Sequence, residues 1–453
     1  QKAARSDVTS AWQSWWCHAP QPFSLDWCRM RGSTPIGKEV MVPDHSESDP
    51  RLLQRCRWLA AAFGFGQGCC VNVYLSAGGY LGDRFEDKSF FVWMCAAVYV
   101  PPLLVFALAR ALDPYFDRHY GFRQVYQVRL AISMLVGAVL VALLSVATIQ
   151  SQVGKKAGIL ALGAAVGAVA GSVASASAQF FGVISPKLVP LFFLGQTASG
   201  AYVNVAARLA GFSPDCSNAS VIGYYSSAVV VAALPALIFF VNHCRGGLDP
   251  AYRRHHRLTP NASASHLSLA SVRDALAAVE DIPHSWCLDE KVAVRRLAFL
   301  CQVFVVGLNI SLTSLANILA RNYHVGQEIV LFKLLGDFVG RVLFFLVPVP
   351  RRLGIHLALN WVVALLRLPA WIVLVRHAAS KDGLLSDGAL LALWFPFVVT
   401  AAFCGSWLQV IAIQAADEEE KRTAAARMNV AVYLGFLSGV LFAAIFSAFK
   451  PAQ

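Results

Sequence analysis

Three ionisable residues stand at helical spacing inside an apolar run: Lys333, Asp337 and Arg341, in Phe332-Lys-Leu-Leu-Gly-Asp-Phe-Val-Gly-Arg341. Steps of four residues put all three on one helix face. Each would cost several kcal/mol if left unpaired in hydrocarbon, so that face must look into protein or water. Two readings follow. The three can form a structural ion pair that locks this helix to a neighbour. They can also form the polar wall of a solute cavity, and the two are compatible. Asp337 can pair with Arg341 and still accept a hydrogen bond from a substrate hydroxyl.

Other polar groups recur in apolar surroundings. Gln67, Asn72, Ser76 and Tyr80 step at about one helical turn, as interhelical hydrogen-bonding groups or as a cavity lining. Gly163, Gly167, Gly171 and Ser175 repeat at spacing four, which lets another helix approach closely. Gln179 follows them, and its side-chain amide offers donors and an acceptor that suit a nucleobase edge. Gln196, Gly200, Asn204 and Arg208 make a further polar stripe. The Gly64-x-Gly66-x-Gly68 pattern has no strand before it and is weak evidence for a phosphate site. No GxSxG, HExxH or Walker-type sequence occurs, and no Cys/His spacing suits a metal. The expectation is therefore no enzyme, no cofactor and no metal. Asp417-Glu-Glu-Glu420, followed by Lys421 and Arg422, reads as a solvated loop or as one half of an intracellular salt-bridge gate.

The elements that carry these residues follow from composition. Of 453 residues, 57% are apolar and only 14% charged, and mean hydropathy is +0.56. A soluble chain is nearer ~45–50% apolar and ~25% charged. A soluble enzyme, a disordered chain and a nucleic-acid binder are excluded. Windows of about 20 apolar residues fall at 58–82, 89–112, 127–150, 157–184, 188–212, 219–243, 296–320, 327–348, 353–375, 388–414 and 428–449. The expectation is an all-α integral membrane protein with eleven transmembrane helices, split six plus five by one long polar insert. The units are a cytoplasmic segment 1–57, a bundle 58–243, a cytoplasmic linker 244–295 and a second bundle 296–453. The chain opens with Gln1, so a few upstream residues are expected. No cleavable signal peptide is seen, and the span that starts near Trp58 is expected to serve as the start signal. The eleven Cys sit mostly in apolar runs and read as small packing residues.

Basic residues set the orientation. With the N-terminus inside, inside segments hold 26 of the 38 Lys and Arg and outside segments hold 8. The N-terminus is expected in the cytoplasm and the C-terminus outside. The net charge of +12 then answers to orientation and the anionic inner leaflet, with the lipid bilayer as partner and no nucleic acid. Asn218-Ala-Ser220 is an N-glycan acceptor on the outside. Asn261-Ala-Ser263 is inside and Asn309-Ile-Ser311 lies within a span, so both should be silent.

In sum the residues resemble the equilibrative nucleoside transporter family. Asp337-Phe-Val-Gly340-Arg341 is similar to the family's D-x-x-G-R in helix eight. Gly195-Gln196-Thr-Ala-Ser-Gly200 is similar to its G-Q-x-x-x-G in helix five. Asn72-Val-Tyr-Leu-Ser-Ala77, with Tyr80-Leu81, is similar to the stretch that follows L-P-W-N in helix one. The acidic loop leading through Ala424–Ala426 into the last span is similar to the family's final turn. The resemblance covers residues 58–449. It departs at Cys70-Val71, where the family has Pro-Trp, and at Leu334, where an Asn is frequent. The family's helix-seven Pro is absent around Asn309–Leu315.

The resemblance implies a divergent member with a major-facilitator-like fold of two bundles around a central cavity. It implies facilitative transport of nucleosides, purine nucleosides such as adenosine or inosine foremost and nucleobases besides, at the plasma membrane in purine salvage. By the same analogy Asp337 and Arg341 hold the ribose hydroxyls, and Asn72, Gln179 and Tyr99 or Tyr74 meet the base. Gln196 and Lys333 complete the expected substrate-binding set. The linker 244–295 tethers the halves as they rock. The alternatives are a proton-coupled nucleoside or nucleobase carrier, and a carrier of another small polar organic solute.

Overall fold

The computed structural model describes residues 50–87, 89–150, 156–213, 216–257, 290–320, 323–347, 352–380, 383–417 and 420–449. Most of the expected N-terminal segment, the linker stretch 258–289 with the Asn261 sequon, and Glu418 and Glu419 lie outside the described residues. The described residues form helices and no strands.

Each apolar window is occupied by helix. The first holds α1 (Pro50–Ser76) and α2 (Gly78–Arg84), and the second holds α3 (Phe90–Tyr99) and the start of α4 (Pro101–Tyr126). A π-helical stretch, Gln127–Ile132, leads into α5 (Ser133–Ile149). There follow α6 (Lys156–Ile184), α7 (Leu188–Leu209), α8 (Asn218–Cys244) and the short α9 (Asp249–Arg257). The later helices are α10 (Glu290–Ser314), α11 (Ala316–Leu319), α12 (Tyr323–Leu346), α13 (Leu353–Leu366), α14 (Leu368–Ala379), α15 (Asp387–Gln414) and α16 (Lys421–Phe449).

Among the described residues, nine helical stretches are long and apolar enough to cross a membrane, against the eleven expected. The windows outside the nine are those of α7 and α12. Their polar side chains lower their apolar character: Gln196, Asn204 and Arg208 on α7, and Lys333, Asp337 and Arg341 on α12.

Breaks in the helices have local causes. Pro101 and Pro102 open α4, and Pro369 sits in the first turn of α14. Pro235 and Pro396 lie inside α8 and α15, where each removes a backbone donor from the ladder. Packing depends on small residues. Gly64 of α1 lies on the Phe192 carbonyl of α7, and Gly195 of α7 lies on the Ala61 carbonyl of α1. A Cβ at either position would overlap backbone oxygen, so the α1–α7 crossing requires glycine on both sides. The later helices repeat the device, with Gly435 and Gly439 of α16 seated on the backbone of α10.

Helices on either side of the 258–289 stretch meet along two seams. In one, α16 packs against α6 and α3; in the other, α12 packs against α7. Large apolar side chains such as Leu108, Val139, Val230, Leu359 and Ile445 stay exposed, as expected of a surface solvated by lipid. Six of the eight described cysteines are buried and none is bridged, in keeping with a packing role.

Candidate functional site

Between the two seams lies an open-mouthed cavity of about 90 Å³. Its walls come from α1, α3 and α7 on one side and from α10, α12, α15 and α16 on the other. Six of the eight expected site residues line it: Asn72, Tyr99, Gln196, Lys333, Asp337 and Arg341.

The charged face of α12 points into this space. Lys333 Nζ lies 3.1 Å from Asp337 Oδ2, with the side chains 15% and 9% exposed. The expected Asp337–Arg341 pairing is not formed. Arg341 instead donates from Nη1 to Ser406 Oγ of α15 at 3.3 Å. Ser406 in turn donates to the Ala402 carbonyl at 3.0 Å. The Arg341 guanidinium stacks over the Phe193 ring, 5.1 Å from its centroid. Its buried Nε has no partner. Gly340 sits against the Val399 carbonyl of α15, which brings α12 close enough for that bond to Ser406. The face therefore holds one closed ion pair and one cation with a donor to spare.

The rest of the lining includes amide and aromatic groups. Asn72 Nδ2 donates to Ser199 Oγ at 3.0 Å and to the Gln196 carbonyl at 3.3 Å. This fixes the Asn72 amide where α1 and α7 meet. The Tyr99 and Phe436 rings are 4.4 Å apart, tilted by 47°. Together they make an aromatic surface across the α3–α16 seam.

Two expected site residues lie elsewhere. Gln179 is 6% exposed and its amide is fully engaged. Nε2 donates to Asp113 Oδ2 and Ser175 Oγ, both at 3.3 Å. Oε1 accepts from Arg422 Nε at 3.2 Å and Nη2 at 3.1 Å. An amide with both ends occupied has nothing left for a base. Tyr74 is 1% exposed, and its ring fills the space left by Gly163 of α6. It packs the α1–α6 crossing and is not a cavity residue.

Gln179 belongs to a second charged assembly. Arg129, in the π-helical stretch, meets Asp113 Oδ1 and Oδ2 at 2.7 Å and Ser175 at 3.0 Å. Arg422, at the start of α16, meets Asp117 Oδ2 at 2.8 Å. Among the residues in and after the acidic run, Arg422 reaches a helix that precedes the 258–289 stretch. Asp417 and Glu420 pair instead with Lys291 and Arg295 of α10, on the same side of the 258–289 stretch. The hydrogen bond from Lys291 holds the Asp417 carboxyl below its ordinary range. That pair is highly exposed and is screened by salt.

Several cavity residues were not singled out from the sequence. Gln302 and Asn309 of α10, Gln409 of α15 and Thr197 of α7 all line the space. Lone amides inside apolar helices were the available signal. Arg367 lies outside the cavity lining. It is 4% exposed and donates to the Phe397 and Val305 carbonyls at 3.2 and 3.3 Å. Its guanidinium stacks over Phe397 at 4.1 Å, so it pins the α13–α14 junction to α15 and α10.

No protein-family model and no curated protein sequence matches the chain. Solved structures do. A proton:xylose symporter of the major facilitator superfamily, XylE bound to 6-bromo-6-deoxy-D-glucose, matches with a TM-score of 0.57. The match covers 89% of this chain and 97% of that one, at 13% identity. The chain has the major facilitator fold. A partially occluded inward-open form of the xylose transporter from E. coli matches at 0.52, with 14% identity over 88% and 100% of the two chains. The nucleoside transporter NupG matches at 0.51, with 13% identity over 85% and 90%. These likenesses establish the fold and leave the solute to the chemistry of the cavity.

Proposed function

We propose that this chain is a facilitative carrier of nucleosides, purine nucleosides foremost, and a divergent member of the equilibrative nucleoside transporter family. The observation that carries this reading is that the Lys333–Asp337–Arg341 face lines the same cavity as an aromatic pair. A nucleoside has a polyol at one end and a flat heterocycle at the other. Asp337 accepts from ribose hydroxyls and Arg341 Nε–H donates to one. Tyr99 and Phe436 cover a face of the ring. Asn72 and Gln196 border the same space, and Lys333 keeps the Asp337 charge compensated.

In this reading eleven spans form two bundles, 58–243 and 296–453, joined by the 244–295 linker, with the cavity between them. They rock about the substrate to give alternating access. The N-terminus is cytoplasmic, the C-terminus is outside, and the protein works at the plasma membrane in purine salvage. Asn218 is exposed at the start of α8 and carries an N-glycan. A glycosidase-sensitive mass shift that disappears in Asn218→Gln tests that orientation; a wild-type chain without the shift contradicts it.

Transport is passive. Asp337 already has a cation at 3.1 Å, and it is the carboxylate among the described lining residues, so its charge is compensated without a proton. Labelled adenosine, inosine, uridine and hypoxanthine, offered to cells that express the full chain, test the function. At least one nucleoside should enter saturably and at an unchanged rate when a protonophore collapses the proton gradient. Uptake of none contradicts the nucleoside reading. Uptake that stops with the protonophore contradicts passive transport.

A further inference from the structure

The cavity contains polar groups that the charged face of α12 leaves unused. Gln302 of α10 and Gln409 of α15 are each 2% exposed. In both, the side-chain carbonyl oxygen Oε1 is buried with no hydrogen-bond partner. Both line the cavity. The Gln302 amide reaches the turn of α15 that leads to Gln409. A Cβ built on Gly405 would stand 3.4 Å from Gln302 Nε2 and 3.8 Å from its Oε1, and Gly405 is one turn before Gln409 on the same face of α15. Asn309, two turns along α10 from Gln302, is 8% exposed and likewise has an unpaired Oδ1.

Such an arrangement is costly if its purpose is packing. A buried amide oxygen without a partner bears its full desolvation penalty, and an apolar side chain of the same shape would not. Two glutamines serving only to join α10 to α15 would bond each other, and these do not. The missing partners have to come from whatever occupies the cavity. The side-chain amide presents an acceptor and two donors in one plane. That pattern pairs with the edge of a heterocycle that offers a donor beside an acceptor, as Gln and Asn do with adenine.

We propose that Gln302 and Gln409 form an amide pair that reads the hydrogen-bonding edge of the substrate's planar ring, the part that Gln179 is placed too far away to play. The proposal rests on the nucleoside reading above. It divides the cavity between a ribose end at Asp337 and Arg341 and a ring end at Gln302 and Gln409. One face of the ring lies against Tyr99 and Phe436. Selectivity among bases is set on α10 and α15.

Three probes separate the two ends: adenosine, purine riboside (which lacks the exocyclic amino group) and 3′-deoxyadenosine. Each is offered to cells that express the full chain as wild type, Gln302→Leu or Gln409→Leu, with surface expression measured alongside. Wild type should prefer adenosine to purine riboside. Either leucine variant should reduce that preference roughly tenfold, as the loss of one well-placed hydrogen bond does. Discrimination against 3′-deoxyadenosine should not change. The purified variants without substrate should melt at or above the wild-type temperature, because each removes an unpaired polar atom, and Gln→Asn should restore part of the preference. A wild-type chain that moves adenosine, with a base preference unaltered in both variants, overturns this inference and leaves the nucleoside reading standing. Variants that lose all three probes equally and melt lower show a structural role and also overturn it. A wild-type chain that moves none of the probes overturns both.

Discussion

Asp337→Asn chains reach the cell surface and take up nucleoside at least ~100-fold more slowly than wild type. Hydrogen bonds to a charged group are worth about 1.5–3 kcal/mol each, or roughly 10- to 150-fold in affinity or rate. The amide keeps the shape of the side chain and loses the charge. Lys333, whose ammonium sits 3.1 Å from Asp337, then stands without its anion beside Arg341. Removing one partner of a buried pair costs about 3–5 kcal/mol, chiefly through the charge left behind. Two effects are therefore mixed in the single variant, and a second substitution separates them. Lys333→Met added to Asp337→Asn removes the stranded cation and should recover thermal stability. It should not recover uptake, because the charged acceptor for the substrate hydroxyls is still gone and the neutral amide that replaces it holds them more weakly. If the double variant transports like wild type, Asp337 serves only to neutralise Lys333 and has no contact with the solute.

The other large effect is expected at Arg422. Its guanidinium joins α16 to Asp117 and Gln179, and so links helices from either side of the 258–289 stretch. Asp117 is 5% exposed at its side chain. Arg422→Ala strands that carboxylate and empties the Gln179 acceptor, at a cost of ~3–5 kcal/mol to the closed arrangement. A bias of that size shifts a two-state equilibrium more than 100-fold. The arrangement that holds α16 against α4 and α6 should become minor, and net uptake should fall more than tenfold. Ala425, 1% exposed and packed near Gly182 of α6, reports the opening. A cysteine there should react with a thiol reagent applied from the cytoplasmic face in the Arg422→Ala background, above the labelling of the native cysteines. Protection equal to that in the wild-type background would mean that Arg422 does not hold the two helix sets together.

The sequence legibly carried the placement of the helices and of the charged wall. Long apolar windows are set by bilayer thickness, and every window came out as helix. The Lys333–Asp337–Arg341 face was readable because residues four apart on a helix share a side whatever the tertiary structure. Tyr74 could have been set aside by the same rule. It stands two residues from Asn72, and residues at that spacing do not face the same way on a helix. Gln179 was different. Its chemistry suited a base, but its depth and its partners depend on where Arg422 arrives, 243 residues later. Nothing local encodes that approach. Gln302 and Gln409 escaped notice for the opposite reason. Each is an uncharged amide whose helical-spacing neighbours, Asn309 for Gln302 and Ser406 for Gln409, are uncharged too, so neither stands out as the charged face of α12 does. Only the crossing of α10 and α15 brings them together.

The central claim is that a sugar-bearing solute rests against Asp337 and Arg341 and is carried across as the helix sets rock. Counterflow tests it most directly. The purified full chain is placed in liposomes preloaded with unlabelled adenosine, and labelled adenosine is added outside. A carrier of this kind accumulates label transiently above the outside level, and the Asp337→Asn chain does not. Wild-type liposomes that show no overshoot, or an Asp337→Asn chain that overshoots equally, would contradict it.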